Sequence, residues 1–369
     1  MGVLIRVHYQ HCGYRHARPN TVLASTIRQM AAPIPDLSVP SWTGPLAHEL
    51  ETTAAAVASL DARISATNCR SAWVRRAAWS GYAEALRGQG VEIDEIDIFG
   101  QACGLPLPSR TRQPTVGDDL PQLAEWQANL RVTPRRHWRE ALPFTFDPPS
   151  DWGSRPVLLR ALELTARHAR ANRTSAPWLA MPMLLNELGA TRNTLPNLVC
   201  ADKALRLQPG DREAIGRRYL KQLRRAADTG LQRLKAIEED RLRAAEALSR
   251  ARRPGSLLPL LALAQVQPVL SPRAVGIRLR LTISGAGKLL ARAAASGLLV
   301  EVSGRQSWRA YLPPDLAQSF GFVPARRGRP LAPTPPRPAL DAVLSDFDAE
   351  MRAIDERLAR LGLSTTEGG

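Results

Sequence analysis

The sequence contains few cysteines, few lysines and few aromatic residues, and it has no long apolar run. Aromatic residues make up 5% of the chain, and four of its 50 basic residues are lysine. No CxxC pair occurs among the cysteines, which excludes a paired-cysteine zinc site and favours a reducing, cytoplasmic setting; they are Cys12, Cys69, Cys103 and Cys200. No apolar run approaches the ~20 residues of a transmembrane helix, so no membrane partner is predicted. The apolar start at residues 3–5 is too short for the core of a secretory signal.

Motifs of the common enzyme classes are also missing. The chain has no GxSxG, Walker or HExxH motif, and His48, His137 and His168 each stand alone. The segment 285–288, Gly-Ala-Gly-Lys, lacks the spacing and the preceding strand of a phosphate-binding loop. We therefore favour a role without catalysis and without a cofactor. An enzyme of unseen type in residues 46–200 stays open, because catalytic groups can converge only in the fold.

Two segments carry the residue types that bind metals. Residues 8–16, His-Tyr-Gln-His-Cys-Gly-Tyr-Arg-His, have the spacing of zinc ligands, but no second ligand cluster follows them. Residues 92–97, Glu-Ile-Asp-Glu-Ile-Asp, lack the glycine and the terminal glutamate of a calcium loop. A solvated acidic face or an arginine-pairing surface is the expected role of the acidic segment. No metal site is predicted.

Acidic residues are in the minority, at 34 against 50 basic residues, which gives a formal net charge of +16. The isoelectric point is about 10.9. Such a charge favours a polyanionic partner. The strong preference for arginine over lysine is also typical of a GC-rich coding sequence, so charge alone does not identify the partner.

The most informative segment is 256–312, which has a helix–helix–helix–hairpin pattern. Helices are predicted at 257–264 and 272–279, and a third, the candidate recognition helix, is predicted near 283–296. Ser271 followed by Pro272 is an N-cap followed by proline at the first helical position, and Thr282 or Ser284 caps the third helix. Gly297 falls where a helix ends on a residue with positive φ. Strands are predicted at 298–302 and 308–312 around a turn at 303–306, so the order predicts a winged helix-turn-helix.

This segment and its continuation are strongly basic, and double-stranded DNA is the predicted partner. Residues 254–330 contain ten basic and two acidic residues, a net charge of +8 (ten minus two). The small residues at 284–287 would let the third helix come close to a duplex. Residues 326–330 include Arg-Gly-Arg-Pro, the core of an AT-hook, although a basic proline linker is the alternative. The candidate DNA-contacting residues are Arg273, Arg278, Arg280, Ser284, Lys288 and Arg292 on the helices, Arg305 and Arg309 on the wing, and Arg327 and Arg329 beyond it.

The predicted fold class is mainly α, with a helical N-terminal domain, a long connecting helix, a winged helix with a small β-wing, and a terminal amphipathic helix. Residues 1–45 are expected to be a disordered extension, and 1–29 lie ahead of a second candidate start at Met30. Gly88 and Gly90 are expected to end a helix, and the segment 228–230 is expected to kink or divide the long helix. The predicted divisions are 46–103 and 156–253 for the helical domain, 104–155 for a Pro-rich connector, 254–323 for the winged helix, 324–337 for a basic linker and 338–362 for a heptad helix.

Several segments resemble an uncharacterised bacterial family in which a domain of unknown function is joined to a helix-turn-helix DNA-binding domain, often encoded on plasmids. The segments that carry the resemblance are 59–64, 73–79, 93–97, 191–196, 270–275 and 284–290. The resemblance covers roughly residues 46–325. It implies DNA binding but no known activity. The front half is also faintly similar to the non-catalytic region of Fic proteins, but the His-Pro-Phe signature of those enzymes is absent.

Together these features predict a cytoplasmic, nucleoid-associated DNA-binding protein that regulates transcription or a plasmid or other mobile element. The sequence leaves two alternatives open. One is a protein-interaction adaptor whose winged helix does not bind DNA. The other is the enzyme of unseen type named above. Salt-dependent duplex binding separates DNA binding from the adaptor role, because phosphate contacts release counterions.

The heptad pattern at 338–362 predicts a homodimer, and folding back onto the body is the alternative. Leu340, Leu344, Phe347, Met351, Ile354, Leu358 and Leu361 alternate at steps of four and three. Replacing Phe347 and Ile354 with glutamate is expected to convert the dimer into a folded monomer, as measured by light scattering. A wild-type mass of one chain at micromolar concentration would reject the dimer, and an unfolded variant would indicate docking within one chain.

Overall fold

The computed structural model describes residues 44–105, 107, 120–131, 137–207, 211–250, 254–303 and 309–324. Within these ranges the fold has twelve α-helices and one two-stranded sheet, which confirms the mainly helical prediction. The helices are α1 (Gly44–Ala66), α2 (Arg70–Gln89), α3 (Glu95–Ala102), α4 (Leu120–Asn129), α5 (Trp138–Ala141), α6 (Val157–Ala171), α7 (Ala176–Glu187), α8 (Arg212–Arg250), α9 (Leu257–Val266), α10 (Pro272–Leu279), α11 (Ile283–Ala295) and α12 (Pro314–Ser319). The strands are β1 (Val300–Glu301) and β2 (Tyr311–Leu312).

The described residues up to Phe322 form one compact unit, and the chain from Val323 onward belongs to a second. Several predicted features lie outside the described residues. They are the zinc-like segment 8–16, the wing residue Arg305, the AT-hook-like segment with Arg327 and Arg329, and the heptad helix at 338–362.

The long helix α8 packs along α1 and organises the body. The buried stripe of α1 includes Leu60 and Ile64, and that of α8 includes Tyr219, Leu223 and Leu234. The prediction of a long helix is confirmed. A division of this helix at 228–230 is excluded, because α8 runs through the segment without interruption.

Gly230 allows a close contact rather than a break in α8. A side chain there would begin 2.4 Å from the Asn197 Nδ2 atom and 3.0 Å from Leu60. The Trp73 indole N–H donates to the Gly230 carbonyl at 2.8 Å. The absence of a side chain at this position therefore brings α1, α2 and α8 together.

Glycines in α2 have the same role. The expectation that Gly88 ends the helix is wrong, since α2 continues to Gln89 and ends at Gly90, whose φ is +96°. A Cβ at Gly81 would lie 2.1 Å from the Pro196 carbonyl oxygen, and one at Gly88 would lie 2.0 Å from the Ala201 Cβ. The two glycines, seven residues apart, thus let the segment 196–201 lie directly against the helix.

The tryptophans of the predicted Pro-rich connector are packed against other residues. Trp138, Phe146 and Trp152 form an aromatic cluster against Leu164 of α6 and Leu184 of α7. Trp126 of α4 is buried elsewhere, and its indole N–H donates to the Leu179 carbonyl at 2.8 Å. These contacts attach α4 and α5 to the helical body.

A buried ion pair joins the body to the C-terminal helices. The Arg76 guanidinium of α2 lies 2.8 Å from an Asp315 carboxylate oxygen at the start of α12, and their side chains are 5% and 10% exposed. Arg76 also donates to the Ala264 carbonyl of α9. Phe99 of α3 meets Phe320 edge to face, with ring centroids 5.4 Å apart. The position of α9 to α12 on the body is therefore fixed by both charge and aromatic packing.

A second carboxyl group, that of Asp240 on α8, lies at this junction. Burial is the main cause that raises its pKa to about 7. The neighbouring Asp315 carboxyl raises the pKa further by its hydrogen bond and its charge, whereas Arg243 and Arg76 lower it. The Asp240 carboxyl consequently titrates near neutral pH.

We predict opposite stability effects for two glycine-to-alanine substitutions. Gly81→Ala should destabilise the fold by roughly 1–3 kcal/mol, because the new Cβ would overlap the Pro196 carbonyl. Gly287→Ala in α11 is the matched control, since no atom lies within 4 Å of its Cβ position. It should stabilise the fold by up to about 1 kcal/mol through helix propensity. Urea denaturation measures both, and equal changes in the two variants would contradict the packing role of Gly81.

We also predict that Asp240→Asn changes the pH dependence of stability. A carboxyl whose folded pKa is about 7 has an unfolded pKa of about 3.9. The native state then holds the proton more tightly, so stability falls as pH rises from the lower value to the higher one. The amide of Asp240→Asn does not ionise, so its thermal midpoint should gain on that of the wild type between pH 5 and pH 8. A difference in midpoint that does not change with pH would refute this.

Candidate nucleic-acid interface

Helices α9, α10 and α11 and the two strands share a separate hydrophobic core, and we call residues 254–312 the C-terminal module. Leu260, Leu270, Val275, Leu290 and Tyr311 are completely buried in this core. Each of the three helices and the sheet contributes to it or to its partly buried margin. The core therefore fixes which helix faces point outward.

Local capping defines α10 and α11. The Ser271 hydroxyl oxygen accepts the Ala274 N–H at 3.2 Å, and Pro272 follows as predicted. Thr282 rather than Ser284 caps α11, since its hydroxyl oxygen accepts the Gly285 N–H at 3.0 Å. Helix α11 accordingly begins at Ile283. Gly297 has a φ of +69° just after the helix, as expected.

The turn between α10 and α11 is tight. Arg280 ends α10 with a φ of +55°, and it is the one non-glycine residue with positive φ in the described chain. A Cβ at Gly276 would lie 3.0 Å from the Leu281 carbonyl oxygen, so this glycine lets the turn fold back onto α10. Few residues adopt the left-handed conformation without cost, and Arg280 holds its side chain exposed on this corner.

The hairpin is shorter than predicted. Strands β1 and β2 are antiparallel and pair Val300 with Leu312 and Glu301 with Tyr311. Leu270, just before α10, forms a further antiparallel bridge with Tyr311 through hydrogen bonds of 3.0 and 2.9 Å. The predicted first residues of β1, Leu298 and Leu299, are instead buried in the core. The paired part of the sheet is therefore limited to residues 300–301 and 311–312.

One face of α11 is exposed and carries polar, small and basic side chains. Each of its members lies three or four residues from another member; they are Ser284, Lys288, Ala291, Arg292 and Ala295. The expectation that the small residues at 284–287 all favour close approach to a duplex needs a correction. Ala286 is completely buried and packs in the core, whereas Gly287 has open space at its Cβ position.

Helix α10 adds exposed cations beside this face. Arg273, Arg278 and Arg280 are exposed, and neither they nor Lys288 forms an ion pair with any described residue. Residues 254–303 contain five basic residues and one acidic residue, Glu301, a net charge of +4 (five minus one). We call the exposed residues of α10 and α11 the basic face.

The wing arginine that can be described is paired. Arg309 Nε lies 3.6 Å from a Glu301 carboxylate oxygen, and the Tyr311 hydroxyl reaches the other oxygen at 3.5 Å. The charge of Arg309 is therefore partly balanced within the hairpin. Of the ten candidate DNA-contacting residues, six are exposed on α10, its C-terminal corner and α11, two helices that pack against each other. Arg309 instead lies in an ion pair with Glu301.

Two exposed apolar residues on the basic face were missed by the sequence reasoning. Ile277 of α10 is 70% exposed, and Ile283 at the start of α11 is 64% exposed. Ile277 follows Arg273 by four residues, and residues four apart lie on the same face of a helix. The sequence could therefore have indicated that Ile277 is exposed beside a charged residue. A surface that exposes isoleucine beside arginine is suited to contact with another molecule.

The helical body shows little that is typical of an active site. In the described ranges no three His, Cys, Asp or Glu side chains are grouped to hold a metal ion. Asp94 caps α3 and Glu95 pairs with Arg233 at 2.8 Å, so part of the acidic segment does pair with arginine. Burial lowers the pKa of His168 and raises the pKa of the Cys103 thiol to about 11.

No helix of the described chain has the length and apolar composition needed to cross a membrane.

Comparison of the chain with protein-family models and with curated proteins gives no match. The resemblance to a helix-turn-helix family therefore stays a prediction, and the interpretation of the basic face depends on its own geometry and charge.

Proposed function

We propose that the C-terminal module binds double-stranded DNA as a winged helix-turn-helix, with α11 in the major groove. The observation that supports this most strongly is the basic face. Four of its exposed cations have no ion-pair partner among the described residues; they are Arg273, Arg278, Arg280 and Lys288. A helix-turn-helix presents the N-terminal residues of its second helix to base edges, while the first helix crosses the DNA backbone.

We assign phosphate contacts to α10 and base contacts to α11 from the positions of their exposed residues. Arg273, Arg278 and Arg280 on α10 and its corner would contact phosphates, which sets the position of the module on the duplex. Ser284 and Lys288 near the start of α11 would face the bases, where their hydrogen-bonding groups distinguish base edges. Ile283 would meet the methyl group of a thymine, the apolar feature of the major groove.

The order of the elements also supports this proposal. The bridge at Leu270 places an extended residue between α9 and α10, and the hairpin follows α11. Helix, bridge, two helices and hairpin is the order expected of a winged helix. On this basis, and on the resemblance noted in the sequence, the protein would act as a transcriptional, plasmid or mobile-element regulator.

A second candidate function is a protein-interaction adaptor, and the exposed Ile277 and Ile283 favour it. Protein interfaces are enriched in buried apolar residues at their centre, whereas DNA interfaces depend on phosphate contacts. The two proposals differ in their salt dependence. DNA binding through the basic face should weaken steeply with added salt, and an apolar protein contact should not.

We predict that Lys288→Ala combined with Arg292→Ala weakens duplex binding by roughly 1–3 kcal/mol and makes its salt dependence shallower. The reason is their place on the exposed face of α11. Gel-shift titration at two salt concentrations measures both effects. Lys235→Ala combined with Arg250→Ala is the matched control, because it removes the same charge from exposed positions on α8.

The control variant should bind DNA almost as tightly as the wild type. Equal weakening in both variants would show that net charge, not the basic face, determines binding. Unchanged affinity in the α11 variant would contradict the proposed role of α11. The absence of duplex binding by the wild type at low salt would leave the adaptor as the favoured function.

A further inference from the structure

The helical body contains a large cavity, of about 870 Å³, that is separate from the basic face. It lies between the start of α2, the end of α4 and the loop 191–194. Four arginines from these elements line it; they are Arg70, Arg75, Arg131 and Arg192. Ser71, Gln127 and asparagine side chains form much of the remaining lining.

None of the described residues that line this cavity carries a carboxylate. Elsewhere in the body arginines are paired with acids; Arg155 and Arg167, for example, both contact Glu163 at 2.8 Å. None of the four cavity arginines forms an ion pair with a described residue. Four like charges around one concave space repel each other, and an anion in that space would offset the repulsion.

The start of α2 adds to the positive potential. Arg70 and Ser71, the first two residues of this 20-residue helix, line the cavity. Cys69, the residue before them, provides no side-chain hydrogen bond to cap the helix. The backbone N–H groups of the first turn and the helix dipole therefore favour an anion on this side of the cavity.

Hydrogen bonds to Asp61 of α1 hold the loop that carries Arg192. The buried Asp61 accepts the Arg192 N–H at 2.7 Å and the Asn193 N–H at 3.0 Å. The Asn193 side-chain amide also donates to Asp61, at 2.7 Å. Both carboxylate oxygens of Asp61 are thus used to hold the loop, and Arg192 extends from a fixed backbone with an exposed side chain.

We propose that this cavity binds a phosphate-bearing ligand, with a nucleotide as the favoured source of the phosphates. Guanidinium groups bind phosphate oxygens through paired hydrogen bonds, and a helix start supplies further N–H donors. The volume falls within the range of small-molecule sites, ~300–1,000 Å³. A concave site with cations on several sides suits a small polyphosphate better than the flat, extended backbone of a duplex.

A ligand bound in this cavity would affect the C-terminal module through Arg75, which also contacts α9. Its guanidinium donates to the Val266 carbonyl, the last residue of α9, at 3.2 Å. A phosphate that attracts Arg75 would compete for this hydrogen bond. The proposal for the cavity nevertheless stands on the four arginines alone and does not depend on DNA binding by the basic face.

Isothermal titration calorimetry of the full chain with ATP, and separately with inorganic pyrophosphate, tests the proposal. The variant is Arg131→Gln combined with Arg192→Gln, two exposed side chains without described hydrogen bonds. Arg217→Gln combined with Arg250→Gln is the matched control, with the same loss of charge on α8. We expect the wild type and the control to bind ATP with a Kd below about 1 mM, and the cavity variant to bind at least about tenfold more weakly.

Failure of both ATP and pyrophosphate to bind the wild type would overturn the proposal, and so would equal weakening in the cavity and control variants. A single-stranded oligonucleotide in place of ATP distinguishes the source of the phosphates. If the oligonucleotide binds and ATP does not, and binding depends on Arg131 and Arg192, the phosphate chemistry is supported but the nucleotide assignment is overturned. The Lys288→Ala, Arg292→Ala variant should keep its ATP affinity, which separates this test from that of DNA binding.

Discussion

The contact between Arg76 and Asp315 holds α12 and the adjoining C-terminal module on the helical body. Burying either charge alone would be costly, and removing one partner of such a pair typically costs about 3–5 kcal/mol. Asp315 lies in the first turn of α12, where the helix dipole also favours its negative charge. Arg75, the neighbour of Arg76 in α2, lines the arginine cavity and contacts the end of α9. One turn of α2 thus connects the body, the cavity and the module.

Local features of the sequence predict the helices well. The predicted bounds of α10 are those in the structure, because apolar periodicity and the Ser271–Pro272 cap act over a few positions. The glycines were misread for the opposite reason. Gly88 and Gly230 meet residues far away in the chain, such as Ala201 and Leu60, and no local pattern distinguishes such a contact from a helix break.

The candidate sites also depend on contacts between distant parts of the chain, which local sequence patterns do not predict. Charge and helical periodicity indicated that Arg273 and Lys288 would be exposed, but the burial of Ala286 depends on how α10 and α11 pack. The arginine cavity could not have been found from the sequence. Its cations come from residues 70–75, 131 and 192, and each looks like an ordinary surface arginine in its own segment. Only the fold reveals that they meet around one cavity, where no carboxylate of a described residue offsets their charge.

Helix α8 is long, and its two ends differ in how much of the helix is buried. This helix has 39 residues and so is about 58 Å long. Its buried stripe ends at Ile237, and beyond it only Ala244, Ala247 and Leu248 contact the core of the module. Leu242, in the same final turns, is 65% exposed. Amide hydrogens along α8 should therefore exchange with solvent in a gradient, slowest near Leu223 and fastest toward Arg250, so that fraying begins at the end nearest the module.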